Sequence, residues 1–269
     1  MNLNYRRISV QEKGAVNMRT RAFLVSICVL AVVGVGAADD PATGTNVIAT
    51  NAGPMVIHPI EHATFVLEWG GKTIAVDPVG DLEAFADFPK PGLILITDIH
   101  GDHLSSEMVA ALAEPSTTIV APAAVAEKLP AGSWAEVKVL ANGASTSWQG
   151  VTIEAVPMYN LDPQKQSFHP KGRGNGYLLT LGGKRVYIAG DTEDIPEMRA
   201  LENIDVAFVC MNLPYTMNVA AAADAVLEFQ PTVVYPYHYR GTDGMSDLGE
   251  FRSLVASNAA IDVRVLAWY

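Results

Sequence analysis

The sequence predicts an α/β domain made of two similar halves, each a sheet covered by helices. Three observations carry this prediction. Short apolar runs joined by Gly70-Gly71, Gln149-Gly150 and Gly182-Gly183 read as antiparallel hairpins. In each half the hairpins give way to alternating strand and helix patterns. The phrase Gly70-Gly-Lys-Thr-Ile-Ala-Val-Asp77 is echoed by Gly182-Gly-Lys-Arg-Val-Tyr-Ile-Ala-Gly-Asp191. No break in composition separates the halves, so residues 55–269 read as one domain.

In the first half, Met55–Ile60, Thr64–Trp69 and Lys72–Asp77 form a meander. Leu93–Thr97 is an apolar, buried strand. Ser105–Ala113 is a helix that begins at a Ser105 or Ser106 cap. Thr117–Val120 and Glu136–Leu140 are strands around a short helix near Ala123–Leu129. The second half begins with hairpins, Thr146–Trp148 with Val151–Pro157 and Gly176–Leu181 with Lys184–Ala189. A strand at Val206–Val209, a helix at Val219–Phe229, a strand at Thr232–Tyr235, a helix at Leu248–Ser257 and a strand at Val263–Leu266 complete it.

The N-terminal region has a different character. Met18-Arg-Thr-Arg21 is basic, and Ala22 to Gly36 is apolar without charge. Small residues at Val35-Gly-Ala37 and Gly36-Ala-Ala38 precede Asp39-Asp40. This is the layout of a secretory signal peptide, with an uncleaved anchor as the alternative. Residues 1–38 are therefore read as an extension plus leader, and 39–54, rich in Ala, Thr, Asn and Gly, as a flexible lead-in. The expected location is exported, periplasmic or secreted, with no stable membrane span after cleavage, because later apolar segments are short and interrupted. Cys28 lies in the leader, so Cys210 is alone in the mature chain and reads as a buried strand-end thiol.

The chain of 269 residues carries a formal charge of −11. Arg6, Arg7, Lys13, Arg19 and Arg21 against Glu12 give residues 1–38 a charge of +4, which leaves −15 on the remainder. Such a surface repels phosphate backbones, so a nucleic-acid partner is disfavoured and a small-molecule substrate is favoured. Nothing in the composition fixes an oligomeric state.

The densest chemistry follows the Leu93–Thr97 strand, in Asp98-Ile-His100-Gly-Asp102-His103-Leu104. Carboxylates and imidazoles are costly to bury together unless something pairs them, and a divalent cation is the simplest partner. On an extended segment Asp98 and His100 point the same way, whereas adjacent Asp102 and His103 can diverge in a turn. Two metals, one for each pair, follow from that spacing. His169 before a strand, Asp191 in Ala-Gly-Asp-Thr192 at a strand end, and His238 after another strand add further donors in loops where sites form.

Together these residues resemble the metallo-β-lactamase fold hydrolases, whose hallmark is His-x-His-x-Asp-His after a strand, followed by a His, an Asp in a Gly-Asp-Thr context and a last His. The resemblance covers roughly residues 55–240. Within it, His62-Ala-Thr-Phe65, Val76-Asp77-Pro78 and Val186-Tyr-Ile-Ala-Gly-Asp191 are similar to the ascorbate-6-phosphate lactonase-like branch. It implies a four-layer αββα sandwich and two divalent ions. The first would be held by Asp98, His100 and His169, the second by Asp102, His103 and His238, with Asp191 bridging.

One departure stands out. Asp98 occupies the first His position, and a hard, charged carboxylate shifts preference from pure zinc toward manganese, with iron also compatible. The resemblance implies hydrolysis of a lactone or carboxylic ester by a metal-bridging hydroxide, with Asp102 and Asp191 central. The alternatives are a phosphodiesterase on a small or lipid-like diester and a non-catalytic metal-binding protein. His62 is read as a substrate contact or leaving-group donor, with a structural role as the alternative; His58 is read as structural. Asp77 is either a partner of the ligand loop or a turn residue. Asn212 and Tyr215 fall in a loop expected to overhang the metals and touch substrate. Tyr159–Arg173 reads as a mobile loop, and its Lys165, Lys171 and Arg173 as solvated cations or anion contacts.

Overall fold

The computed structural model describes residues 46–242 and 244–269. The leader reading of residues 1–38 lies outside the described residues. In the first half, β1 (Asn46–Thr50), β2 (Gly53–Glu61), β3 (Thr64–Trp69), β4 (Lys72–Val76), β5 (Leu93–Leu95), β6 (Thr118–Ala121) and β7 (Glu136–Val139) lie side by side in chain order as one sheet. The first four strands are antiparallel neighbours; β4 to β7 run parallel. Helices α1 (Ser106–Leu112) and α2 (Ala123–Ala126) supply the crossovers on either side of β6.

The second half repeats the plan. It contains β8 (Ser145–Trp148), β9 (Val151–Met158), β10 (Gly174–Leu181), β11 (Lys184–Ile188), α3 (Pro196–Arg199), β12 (Val206–Cys210), α4 (Val219–Phe229) and β13 (Val233–Tyr237). A two-stranded ribbon of β14 (Arg240–Gly241) and β15 (Gly244–Met245), then α5 (Leu248–Val255) and β16 (Asp262–Val263), complete it. The second sheet runs β16-β13-β12-β11-β10-β9-β8. Two seven-stranded mixed sheets with helices on their faces form the expected α/β sandwich.

Strand period explains the layering. In β3, Phe65 and Leu67 enter the core between the sheets while Val66 points to the helical side. Ile74 and Val76 alternate in the same way with Ala75, and Leu93 and Leu95 with Ile94. On the outer side, Val66, Ala75, Ile94 and Ile119 meet Met108, Val109 and Leu112 of α1 and Val125 of α2. Between the sheets, Phe65 stacks on Phe208 with ring centroids 4.4 Å apart, and Trp268 closes edge-on against both rings. Facing apolar rows thus fix the mutual position of the sheets, and so of their strand ends.

Several boundaries differ from the sequence expectation. The lead-in assigned to residues 39–54 is overturned from Asn46 onward, because β1 pairs antiparallel with β2 and buries Ile48. Val47, Ile48 and Thr50 are β-branched strand formers, and their pairing with β2 makes the segment a strand. Strand β5 ends at Leu95, where the expectation continued to Thr97; beyond it the chain leaves the ladder to enter the Asp98–His103 turn. The expected helix Leu248–Ser257 ends at Val255, and the last strand is only Asp262–Val263. Ser105 caps α1 by accepting from Met108 N, and Asn218 caps α4 by accepting from Ala221 N.

Candidate metal centre

The site residues stand at strand ends and connecting turns. Asp98, His100, Asp102 and His103 follow β5; His169 precedes β10; Asp191 follows β11; His238 follows β13; His62 sits between β2 and β3. Backbone strain marks the same places. His62, Asp77 and His238 have φ of 47°, 43° and 45°, a left-handed conformation that non-glycine residues rarely adopt. Gly190, with φ of 64°, aims Asp191: a Cβ there would lie 3.2 Å from Thr97 Cβ and against the sulfur of Met158.

The structure brings all seven expected donors together. His100 Nδ1 lies 2.9 Å from Asp98 Oδ2, and His169 Nε2 lies 3.9 Å from the same oxygen. Asp191 sits centrally: its Oδ2 is 3.1 Å from His169 Nε2 and 3.3 Å from His103 Nε2, and its Oδ1 is 3.3 Å from His238 Nε2. Asp102 reaches His238 Nε2 at 3.3 Å and His103 Nε2 at 4.0 Å. Among the described residues, three groups have donor atoms converging closely enough for an ion: Asp98-His100-His169, His103-Asp191-His238, and His62-Asp102-His238.

The donor chemistry fits divalent cations. His103 Nε2, His169 Nε2 and Asp191 Oδ1 are buried atoms without a hydrogen-bond partner, although carboxylate and imidazole atoms crowd around them. Orphaned buried polar atoms are costly. A cation drawing on all of them removes that cost.

Second contacts fix the imidazoles. His103 Nδ1 lies 2.8 Å from Asp77 Oδ2, which also accepts from the Thr97 hydroxyl, while Asp77 Oδ1 accepts from Thr97 N. Asp77 is therefore a partner of the ligand loop, which leaves His103 Nε2 facing the centre. Asn160 Nδ2 is 3.2 Å from His169 Nδ1, a contact with no signal in the sequence. Asn212, buried, places Nδ2 3.1 Å from His238 Nε2.

Electrostatics reflect this crowding. Burial pushes Asp191 up, but the charges of His238, His103 and His169 outweigh it and hold the carboxyl well below its usual range. Burial also opposes ionisation of Asp102, yet His238 and His103 hold it below the usual range. His103 moves the other way. Burial alone would lower it, but Asp191 and then Asp77 raise it well above 6.5. In metal-free protein the charged His103 therefore stabilises the fold fully below about pH 6.5, and this contribution fades as pH rises through the higher folded value. Loading an ion on Nε2 must expel that proton. Calorimetric titration with metal at neutral pH, in buffers of different ionisation enthalpy, should show proton release; a heat independent of buffer would contradict the assignment.

His62 has a distinct setting. Burial, then His238 and Arg240, push its imidazole down to about 4. Its Nε2 is 2.7 Å from Arg240 Nη2, and Arg240 lies over the Tyr269 ring at 4.5 Å. A guanidinium against Nε2 disfavours a second cation there, which argues against His62 as a metal ligand. Neither Arg240 nor Tyr269 was flagged by the sequence, because both reach His62 only through the tertiary fold.

The centre opens into a cavity of about 280 Å³ lined by His100, Asp102, Phe168, His169, Asp191, Asn212 and Tyr215. Phe168 and Tyr215 meet edge-to-face with centroids 5.2 Å apart at its wall. The cations of the 159–173 loop, read as solvated or as anion contacts, all meet protein carboxylates, and Lys171 stays exposed as it does so. Lys165 bonds Glu193, Lys171 bonds Glu197, and Arg173 forks onto Asp98. His58 is structural, bonded to Glu68 at 2.8 Å and packed on Phe88. Cys210 is buried, and burial with Asp191 nearby pushes its thiol up to about 12, so it is inert.

Comparison with known proteins agrees with this geometry. Residues 56–238 match the family model described as a Beta-lactamase superfamily domain. A UPF0173 metal-dependent hydrolase from Pyrococcus abyssi is 33% identical over 213 residues, covering 75% of this chain and 92% of that one. A crystal structure from Parabacteroides distasonis is 42% identical with a TM-score of 0.75, covering 84% of this chain and 99% of that one. The structure of a metallo hydrolase from Ignicoccus hospitalis is 25% identical with a TM-score of 0.65, covering 79% and 94% of the two chains.

Proposed function

Because the chain belongs to the beta-lactamase superfamily and is a metal-dependent hydrolase, we propose that it hydrolyses a lactone or other carboxylic ester. Asp98, His100 and His169 would hold one ion and Asp102, His103 and His238 the other, with Asp191 between them; zinc and manganese both suit this mixed donor set. Two such ions lower the pKa of a shared water and clamp the oxygens of a tetrahedral transition state.

The chain's own residues define what can approach. Asp77 and Asn160 hold His103 and His169 in register. Phe168 and Tyr215 give the cavity an apolar wall against which the body of an ester can lie. His62, neutral at physiological pH and so without a proton to give a leaving group, stands beside His238 where it can contact the substrate.

The observation favouring a carbonyl substrate is the cavity lining, which contains no Lys or Arg. Of the nearby cations, Arg173 is committed to Asp98, and Arg240 sits against His62 and the Tyr269 ring. A phosphodiester monoanion would find only the metals to offset its charge, whereas a neutral lactone needs no counter-ion. Metal-loaded protein should turn over lactones or nitrophenyl esters from a panel that also contains bis-nitrophenyl phosphate. Turnover of the phosphodiester alone would overturn this reading in favour of a phosphodiesterase.

A further inference from the structure

Arg173 is placed as a second cation of the first metal site. Its Nε donates to Asp98 Oδ1 at 3.1 Å and its Nη2 to Asp98 Oδ2 at 2.8 Å, a two-pronged pairing with a carboxylate that has no exposed surface. It also donates to the Phe168 carbonyl, which ties the guanidinium to the loop carrying His169. The contacts with Asp98 span 75 residues of sequence and, with the Phe168 carbonyl, lock the side chain behind the carboxylate.

The same side chain acts on His100. Arg173 Nη2 lies 3.3 Å from His100 Nε2, and a guanidinium can only donate. Nε2 must then be the accepting nitrogen, which puts the imidazole proton on Nδ1, facing Asp98 Oδ2 at 2.9 Å. Nδ1 is the nitrogen on the Asp98 side of the ring, in the cluster that His169 completes. An ion ligated there requires the proton to move to Nε2, where it meets the guanidinium. Arg173 therefore opposes occupation of the first site in three ways: it shares the Asp98 lone pairs, it fixes His100 in the non-ligating tautomer, and its positive charge repels the ion.

We propose that Arg173 is an internal counter-cation that stands in for the first metal, so that the Asp102-His103-His238 site fills tightly and the Asp98-His100-His169 site fills second and weakly. This rests on the ligand assignment proposed above. It gives the centre a state in which the buried Asp98 charge is satisfied with one ion bound, and it makes the second ion exchangeable.

Manganese titration of the metal-free full chain, followed by paramagnetic resonance and chelator competition, tests it. Wild type should show one tight ion and one weaker ion. Arg173→Met should tighten the weaker site by about 10- to 100-fold, the range over which outer partners tune metal affinity. It should also lower the melting temperature of the metal-free protein, with recovery on manganese addition. A weaker site that is unchanged or further weakened would overturn the proposal. If Arg173→Met folds only with manganese present, the metal has replaced the missing cation, as proposed; failure to fold even then would overturn it. Arg173→Lys keeps the charge but not the fork onto Asp98, so it should tighten the weaker site less than Arg173→Met does, whereas tightening equal to that of Arg173→Met would overturn it. Asp98→Asn separates this proposal from its premise. Loss of only the weaker ion supports both, and two unchanged affinities would remove Asp98 from the ligand set.

Discussion

Replacing Asp191 with Ala is expected to lose both metals and to lower kcat/KM by at least about 10²- to 10³-fold, the scale seen when one essential electrostatic contact is removed. The reason is its position. Asp191 is the carboxylate that approaches His103, His169 and His238 together, at 3.1 to 3.3 Å. Its carboxyl is held well below its usual range by those three imidazoles, so it is ionised wherever the enzyme works. Removing it leaves His103 Nε2 and His169 Nε2 buried without a hydrogen-bond partner and with only the more distant carboxylates of Asp102, at 4.0 Å, and Asp98, at 3.9 Å. Breaking a buried charge pair in this way costs about 3–5 kcal/mol, so the metal-free variant should also melt earlier. Metal counting by elemental analysis, with ester hydrolysis as the second readout, checks both expectations. Two retained ions in the Asp191→Ala protein would take the residue out of the bridging position.

Local chemistry and regular period made parts of this molecule legible in its sequence. Strand β3 and helix α4 were read to the residue, because Gly70-Gly71 closes the first and Asn218 caps the second. Four of the seven donors were legible because Asp and His crowd the turn after an apolar strand, where packing alone has no use for them; His169, Asp191 and His238 were read from their strand-end positions and from the family resemblance. What was missed has a common physical character. Strand β1 was missed although Val47, Ile48 and Thr50 are strand formers, because a five-residue strand next to a run of Ala, Thr and Gly shows no clear period of its own. Helix α3 and the β14–β15 ribbon are too short to show a period. Asn160, Arg173, Arg240 and Tyr269 act across the fold, up to 207 residues away in sequence for the Tyr269–His62 contact. A sequence pattern encodes spacing along the chain and is blind to such distances. The cations of the 159–173 loop show the consequence: Lys165 and Arg173 look solvated in the sequence, yet both are tied to carboxylates of other segments.

Substituting Asn for Asp77 should weaken metal binding at a smaller cost in stability than removing the side chain. Asp77 is fully buried, adopts φ of 43°, and burial pushes its carboxyl up against the opposing pull of His103 and Thr97. Asn is nearly isosteric and tolerates the left-handed conformation, so the turn before Pro78 should survive. The amide oxygen can still accept from Thr97 N, as Asp77 Oδ1 does at 2.7 Å. Its NH₂ group then replaces Oδ2 and faces His103 Nδ1, which Oδ2 approaches at 2.8 Å. A donor in that position makes Nδ1 the accepting nitrogen and moves the imidazole proton to Nε2. Nε2 is the atom that lies 3.3 Å from Asp191 and 4.0 Å from Asp102. In the metal-free protein the variant loses one of the two carboxylates that keep His103 charged, so the melting temperature should fall, though less than in Asp77→Ala because the contact with Thr97 N survives. Metal must displace the Nε2 proton, so affinity at the Asp102-His103-His238 site should fall by about 10- to 100-fold, read by chelator competition at constant pH. Asp77→Ala should lose affinity and stability together, because it orphans Thr97 and strains the turn. Unaltered metal affinity in Asp77→Asn would make Asp77 a turn residue only, and would mean that His103 takes its orientation from the packing around its ring.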